Sequence, residues 1–449
     1  MLGNTDEFTA IQAMKNVGKG SIGLMAMALM IANLIVGAKL YNSEEALAER
    51  MQAFSQLELF TKVVEHVREY YVDGEKVDYD TLIIDGALNG MLESLDPHSQ
   101  FMDKDMYDDM KEDTTGQFGG IGIVISVEDG ILTVVAPMEG TPGFDVGIRT
   151  DDRIIEIDGA STEGLALSEA VNRLRGVPGS QVTMKVLRPE NSDIMDFSIT
   201  RSIINVPSVK DAHVNEEGIG YIRIISFDQR SADLLQKGLE DMIDQGMKSL
   251  VLDLRNNPGG LLTAAIEVSQ KFLDKKDPVV FTQGRDFASR KTYRARGAHH
   301  YKDFPLVILI NSGSASASEI VAGALQDHKR AILVGQRSFG KGSVQSVLPM
   351  DGGSAIRLTT ARYYTPSERV IHKRGIMPDI VVDIDPVAWQ RILQGRTRPY
   401  SGTGEESQDV EDPQLDRAID VLKGIMLFQA RKQDQLKQMA QRRSATAEL

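Results

Sequence analysis

Between Gly218 and Gly335 the chain alternates short apolar runs with helix-spaced segments, a pattern few architectures accept. Tyr221-Ile-Arg-Ile-Ile225, Leu250-Val-Leu-Asp-Leu254, Val279-Val-Phe281, Leu306-Val-Ile-Leu-Ile310 and Ile332-Leu-Val-Gly335 read as strands. Residues 232 to 245, residues 262 to 273 and the segment after Ser318 read as helices. Near-continuous apolar strands between helices mean an α/β layer whose sheet is covered on at least one face. At 449 residues there is room for two or three domains, and 42% hydrophobic with 25% charged residues is an ordinary globular balance. A net charge of −14 excludes a nucleic-acid binder, which needs a basic face. With no cysteine there is no disulfide, thiol nucleophile or cysteine metal site.

Other segments differ in texture. Ser21 to Ala38 is uncharged and about long enough to span a bilayer, with Lys15 and Lys19 before it and Glu44 and Glu45 after it. The positive-inside rule then leaves the N-terminal tail in the cytoplasm and exports the rest. Val36-Gly-Ala38 also resembles a signal cleavage site, so anchor and cleaved signal both stand. Leu57, Phe60, Val64, Val67 and Tyr71 carry helical spacing, repeated by Ile84, Leu88, Met91 and Leu95 up to Pro97. From Thr114 glycine-punctuated β runs surround one helix at Leu167 to Arg175, the makings of a small β-barrel. Glycines in Gly119-Gly-Ile-Gly-Ile123 allow backbone amides to approach a terminal carboxylate, beside a strand edge open to an added peptide strand; a plain turn is the alternative. Residues 394 to 413 are polar and turn-rich, and Leu415, Ile419, Leu422 and Met426 then show brief heptad-like spacing.

Chemistry concentrates at four places in the α/β region. Asn311-Ser-Gly-Ser-Ala-Ser-Ala-Ser-Glu319 turns from strand to helix and leaves Ser316 at the positive end of a helix dipole, where an oxyanion is favoured. The same residues fit an S-x-x-E capping box, and the stretch alone leaves both readings open. Asp253-Leu-Arg-Asn-Asn-Pro-Gly-Gly-Leu261 ends a strand with bare amides. Phe339-Gly-Lys-Gly342 holds Lys341 between glycines, and Gln345 shares its face if residues 341 to 347 are extended. A serine nucleophile needs a base. None of His66, His98, His213, His299, His300, His328 and His372 has a setting that marks it out. A neutral lysine lies about 4.6 kcal/mol uphill at pH 7, and burial lowers a lysine pKa by up to roughly 3–5 units. Phe339 is expected to help dry Lys341, and the neutral Gln345 to orient the amine without stabilising its charge.

These stretches resemble the carboxyl-terminal processing peptidases, PDZ-containing serine proteases with a Ser-Lys dyad. Leu95-Asp-Pro-His-Ser99, Phe118-Gly-Gly-Ile-Gly-Ile123, Leu252 to Gly260, Gly313 to Glu319, Phe339-Gly-Lys-Gly342, Thr359 to Pro366 and Gly375-Ile-Met-Pro-Asp379 carry the likeness over roughly residues 50 to 385. Asp151 and Glu368 stand where such proteins usually have glycine. Residue patterns and resemblance together give a multidomain α+β chain: a tail with anchor or signal (1–43), a helical region (44–112), a PDZ-like domain (113–190), a protease core like the crotonase/Clp layered fold (191–390), a linker (391–413) and a C-terminal helix (414–449), of which the anchor and everything after 390 rest on the residue patterns alone. The resemblance implies Ser316 as nucleophile, Lys341 as base, Gln345 as its orienting group, and the amides of Gly260 and Ala317 as oxyanion hole. Gly119, Gly120, Ile121, Gly122 and Ile123 would bind a peptide's C-terminus, and Arg175 either relays occupancy or is a surface arginine. The activity implied is endopeptidase cleavage of protein or peptide substrates without metal or other cofactor. The N-terminal apolar run, not the resemblance, sets the expected place: a bacterial inner membrane facing the periplasm or exterior, or the periplasm after cleavage. A homo-oligomer or adaptor partner is left open. The alternative is a PDZ scaffold with an inactive protease-like half.

Overall fold

The computed structural model describes residues 54–397 and 411–447, apart from 79, 129, 139, 166, 191 and 298–300. The apolar run at 21–38 and the pair His299-His300 lie outside the described residues, and among those described no helix is long and apolar enough to cross a membrane. Two compact units divide at residues 91 and 92. In the first, residues 54–70 form helix α1, on which Leu57 and Phe60 of the expected stripe are exposed. A π-wound stretch, Asp80–Leu88, runs into α2 (Asn89–Glu93). Strand β1 (Gln100–Met102) follows where helix was expected, because it pairs with a hairpin more than 250 residues away. Helix α3 (Lys104–Thr115) is capped by Asp103, which accepts the Met106 amide, and ends in a left-handed Gly116.

The β-rich domain expected after Thr114 is present, as an open sheet rather than a closed barrel among the described residues. Strand β2 (Gln117–Gly120) leads into β3 (Ile123–Glu128), β4 (Ile131–Pro137), the short helix α4 (Pro142–Asp145), β5 (Arg153–Ile157) and β6 (Ala160–Ser161). Helix α5 (Leu167–Leu174), β7 (Gln181–Arg188) and β8 (Asp193–Thr200) complete it, in the order β3-β4-β5-β7-β8 with β6 on β5. Its core is Ile121, Val134, Ile154, Val182, Met184, Val186 and Ile199. The sheet runs past the boundary expected at 190, since β8 pairs with β7 over its whole length. Asp151 stands at φ +67, a left-handed position that Asp tolerates better than most residues, which is why glycine is replaceable there. Strand β9 (Ser202–Asn205) pairs back onto β2. Arg230 fixes this junction by donating to Asn205 Oδ1 at 2.7 Å and to the Val206 carbonyl at 3.0 Å.

The α/β layer follows as β10 (Val209–Val214), β11 (Ile219–Ile224), helix α6 (Ser231–Asp244), β12 (Ser249–Asp253), helix α7 (Leu262–Gln270), β13 (Pro278–Gln283), β14 (Lys291–Arg294) and β15 (Leu306–Ile310). Helix α8 (Ala317–Asp327), β16 (Ile332–Gly335), β17 (Ser343–Pro349), β18 (Ala355–Tyr364), β19 (Ile380–Val381), α9 (Pro386–Thr397) and α10 (Pro413–Ala447) complete the chain. The main sheet is β10-β11-β12-β15-β16-β19, parallel from β11 onward; β17, β18, β13, β14 and β1 form a second sheet. Every residue of β12 and β15 is buried, so both faces of the main sheet are covered. Leu250, Leu252, Ile308 and Ile310 pack with α6, α7 and α8. Their neighbours Val251, Val307 and Leu309 pack on Ala418 and Leu422 of α10. The heptad-like spacing of the tail is therefore the stripe of a single helix lying on a sheet, since both geometries repeat at three and four residues.

A buried charge anchors that helix. Arg255, at the end of β12, gives Nη2 to Asp253 and to Asp412, both at 2.8 Å, and Nη1 to Asp412 Oδ1 at 2.8 Å and Gln414 Oε1 at 3.1 Å. Removing one partner of a buried ion pair leaves a charge uncompensated. Asp412→Ala is expected to cost about 3–5 kcal/mol, and Leu422→Ala about 2–5 kcal/mol. Urea unfolding measures both, and a shift below about 1 kcal/mol in each would detach α10 from the core.

Candidate active site

Three loops leave the C-terminal ends of the neighbouring parallel strands β12, β15 and β16, the end at which open α/β sheets place their ligands. They are stitched together by side-chain amides. Asn311 Oδ1 accepts the Asn256 amide at 2.8 Å, and its Nδ2 donates to Asn256 Oδ1 at 2.8 Å. Asn257, fully buried, takes the Gly259 amide at 2.9 Å and donates to the Ile224 carbonyl at 2.8 Å.

Of the four serines of the turn Ser312 is exposed, and the other three are not equivalent. Ser314 is buried and donates to the Leu254 carbonyl at 2.8 Å; Ser318 is buried and donates to the Asn257 carbonyl at 2.9 Å. Both hydroxyls hold the turn to the β12 loop. Ser316 alone is partly exposed, at φ +53 and ψ −109, as the N-cap of α8. Gly259 lies against it: a Cβ there would sit 2.7 Å from Ser316 Cβ and 2.9 Å from the Ala317 nitrogen. On the other side Phe227 donates to the Gly259 carbonyl at 3.0 Å and accepts from the Leu261 amide at 2.7 Å. This bridge turns the intervening Gly260 amide away from Phe227. Among the described residues neither the Gly260 nor the Ala317 amide has a hydrogen-bond partner.

The capping carboxylate does more than cap. Glu319 is fully buried; its Oε2 accepts the Ser316 amide and the Lys341 amide, each at 2.8 Å. Its Oε1 accepts the Gly340 amide at 2.7 Å and the Ser338 hydroxyl at 2.5 Å. Ser316 and Lys341 are thus joined, backbone to backbone, through one oxygen. Burial pushes the Glu319 carboxyl up, against these four donors, which favour its charged form. Only the S-x-x-E pattern pointed to Glu319, and it pointed to a cap.

Lys341 is half-buried. Burial, and then the neighbouring Arg357 guanidinium, hold its amine below the ordinary lysine range. It makes no ion pair among the described residues. A segment at 371–375 closes over the flanking glycines: Lys373 donates to the Gly340 carbonyl at 2.8 Å, and a Cβ on Gly342 would meet the His372 nitrogen at 2.2 Å. Phe339 does not dry the pocket. Its ring is 63% exposed, because its own amide is tied to the Ser314 carbonyl at 2.9 Å at the surface of the turn. Gln345 lies on β17, and its Nε2 donates to Ser343 Oγ at 2.9 Å and Thr359 Oγ1 at 3.2 Å; no hydrogen bond joins it to Lys341 among the described residues. Sequence reasoning also passed over His98. Burial and then the charge of Lys341 hold that imidazole below its ordinary value.

The glycine loop before β3 opens onto a cavity of about 410 Å³. Gly120, Ile121, Gly122 and Ile123 line it, as do Leu167 and Val171 of α5; Gly119 does not, and its carbonyl accepts the Gly176 amide at 3.1 Å. Among the described residues the facing edge of β3 carries no strand. Val206, Pro207 and Lys210, from the start of the α/β layer, close one side. Arg175 also lines the cavity, stacked on Phe118 with its guanidinium 4.6 Å from the ring centre and 3.5 Å from Asp109 on α3, so it is not a free surface arginine. Glu368 stands at φ +64 in an exposed turn, where it pairs with Arg290.

Residues 218–382 match Peptidase family S41, residues 133–188 a PDZ domain, and residues 22–106 the Activating protease CtpB N-terminal domain. The chain is 38% identical over 424 residues to the Carboxy-terminal-processing protease of Bartonella bacilliformis, covering 90% of this chain and 95% of that protein. It is 37% identical over 341 residues to the Carboxy-terminal processing protease CtpB of Bacillus subtilis, covering 75% of this chain and 69% of that one. The solved photosystem II D1 C-terminal processing protease aligns with 28% identity and a TM-score of 0.42, over 72% of this chain and 92% of that one. With nine-tenths of its length aligned to such a relative, the chain belongs to the carboxy-terminal processing proteases of peptidase family S41, and is a serine peptidase carrying a PDZ domain.

Proposed function

We propose that this peptidase cuts protein substrates with Ser316 as nucleophile and Lys341 as general base, and that its PDZ groove takes the substrate's C-terminus. The observation that carries the reading is the shared oxygen of Glu319, which holds the amides of Ser316 and Lys341 together while Ser314 and Ser318 are committed to backbone carbonyls. The neutral amine of Lys341 takes the proton of Ser316 as Oγ attacks the scissile carbonyl. The negative oxygen that forms meets the amides of Gly260 and Ala317, at the positive end of α8. The ammonium then protonates the leaving amine, and the ester left on Ser316 is released when Lys341 takes a proton from water. Gln345 orients the amine throughout. Upstream, the uncharged run at 21–38 anchors the enzyme in the inner membrane, lysines inside and the catalytic unit facing the periplasm.

Ser316→Ala and Lys341→Ala are each expected to lower casein cleavage by about 10²–10⁴-fold with little change in unfolding midpoint. Substantial turnover by Lys341→Ala would pass the base role to a histidine, with His98 and His372 the candidates beside Lys341, and turnover by Ser316→Ala would restore the scaffold alternative.

The pH dependence has a definite sign. The active form is the free amine, so kcat/KM rises as pH rises through the Lys341 pKa, which lies below the ordinary lysine range. Arg357→Gln removes a repelling cation, favours the ammonium and should move this acid limb to higher pH. An unmoved limb would mean that the limb does not report Lys341.

The groove beside β3 accepts an added strand, and its free loop amides suit a carboxylate. Amidating the C-terminus of a peptide substrate should raise KM while leaving kcat nearly unchanged; equal KM values for acid and amide would remove C-terminal capture from the reading.

A further inference from the structure

Gln345 donates both hydrogens of its side-chain amide, one to Ser343 Oγ at 2.9 Å and one to Thr359 Oγ1 at 3.2 Å. Its carbonyl oxygen is left as the acceptor. An amide can be turned over, so its orientation depends on whether the hydroxyls facing it accept or donate. Thr359 lies opposite Gln345 in the β17–β18 pair. Its hydroxyl faces the Asp96 carboxylate and helps hold that carboxyl below its ordinary value; a carboxylate only accepts, so the hydroxyl proton is drawn towards Asp96 and the oxygen is left to accept from Gln345. Asp96 is itself held in a tight turn. Its Oδ1 accepts the amides of His98 at 2.8 Å and Ser99 at 2.9 Å, and its Oδ2 accepts the Ser99 hydroxyl at 2.9 Å. Ser99, buried, in turn accepts the Thr359 amide at 3.1 Å.

We propose that Asp96, Ser99 and Thr359 are positioning residues that fix which way the Gln345 amide faces, so that its carbonyl and not its NH2 is turned to Lys341. A carbonyl accepts an N–H of the amine and leaves the nitrogen lone pair to the Ser316 proton. A turned amide donates into that lone pair and competes with the serine. The inference rests on the roles assigned above to Lys341 and Gln345. It gives Leu95-Asp-Pro-His-Ser99, more than 150 residues from the nearest active-site loop in sequence, a chemical task.

Asp96→Asn puts an NH2 where the acceptor stood, and Thr359→Val removes the hydroxyl without changing charge. The other charged or titratable groups around Lys341 remain in place: Arg357 on β18, His98 in the turn, Glu319 on α8, and His372, Lys373 and Arg374 in the segment over Gly340 and Gly342. With labelled casein, both variants should lower plateau kcat about tenfold, the worth of one hydrogen bond, with KM unchanged. Both should also move the acid limb to lower pH, because an NH2 facing the amine disfavours the ammonium. Thr359→Ser should restore rate and limb together.

A limb that moves in Asp96→Asn alone would reflect lost charge and overturn the proposal. So would a lowered rate with an unmoved limb in Thr359→Val, which is what loosened packing gives, or a profile like the parent's. Lys341→Ala run alongside separates the two levels. An active Lys341→Ala removes the roles on which the inference stands, whereas an inactive one with a parent-like Thr359→Val removes the inference alone.

Discussion

A carboxylate offers about four lone-pair sites, and in Glu319 all four are filled. The amides of Ser316, Gly340 and Lys341 and the hydroxyl of Ser338 take them, in a place with no exposed surface. This saturation resolves a conflict in the chemistry. An acid close to a basic lysine ordinarily pairs with it and raises its pKa by one to a few units, which would keep the amine protonated. Here the acid binds the lysine's backbone and has no acceptor left for its ammonium. The net push on Lys341 comes from burial and from Arg357, and both favour the free amine. The same carboxylate sits in the first turn of α8, where the helix dipole favours negative charge.

The sheet decides which loops can meet at that carboxylate. β12, β15 and β16 are adjacent and parallel, with Asp253 beside Leu309 and Ile310 beside Gly335, so their C-terminal loops emerge at one edge. Beneath them Arg255 ties the end of β12 to Asp412 and Gln414 at the head of α10. The helix that covers the lower face of the sheet is thereby linked to the strand that delivers Gly259 and Gly260. One buried guanidinium is thus a direct link between the head of the tail helix and the loop that carries Gly259 and Gly260.

The sequence was most legible where local pattern and final environment agree. β15 runs from Leu306 to Ile310 as its apolar run indicates, because a strand buried on both faces needs no alternation. Ser316, Lys341 and Gln345 were named from turn chemistry and resemblance together, and Glu319 joins the backbones of the first two. What stayed hidden depended on distant pairing. Nothing local tells Ser314 and Ser318 from Ser316, since the difference lies in carbonyls of residues 254 and 257. Phe339 reads as a core residue by type, yet it is exposed because its backbone is claimed by the turn. β1 and the Asp96 turn were absorbed into a helical stretch, because their meaning comes from β18. The stripe of α10 looks the same on a sheet as in a coiled coil.

One strained residue shows how these constraints combine. A non-glycine backbone at φ +53 and ψ −109 costs about 1–3 kcal/mol, so Ser316 stays there only if its neighbours insist. Its amide is bound by Glu319, and its carbonyl accepts the amides of Glu319 and Ile320, both at 3.0 Å. A hydrogen bond to a charged group contributes about 1.5–3 kcal/mol, enough to offset the strain by itself. Gly259, at φ +104, occupies the space into which any larger residue would press the serine. Relaxing Ser316 would therefore break the bond that also locates Lys341. The exposed hydroxyl and the half-buried amine are thus set by a single balance, between backbone strain at residue 316 and a carboxylate with no capacity to spare.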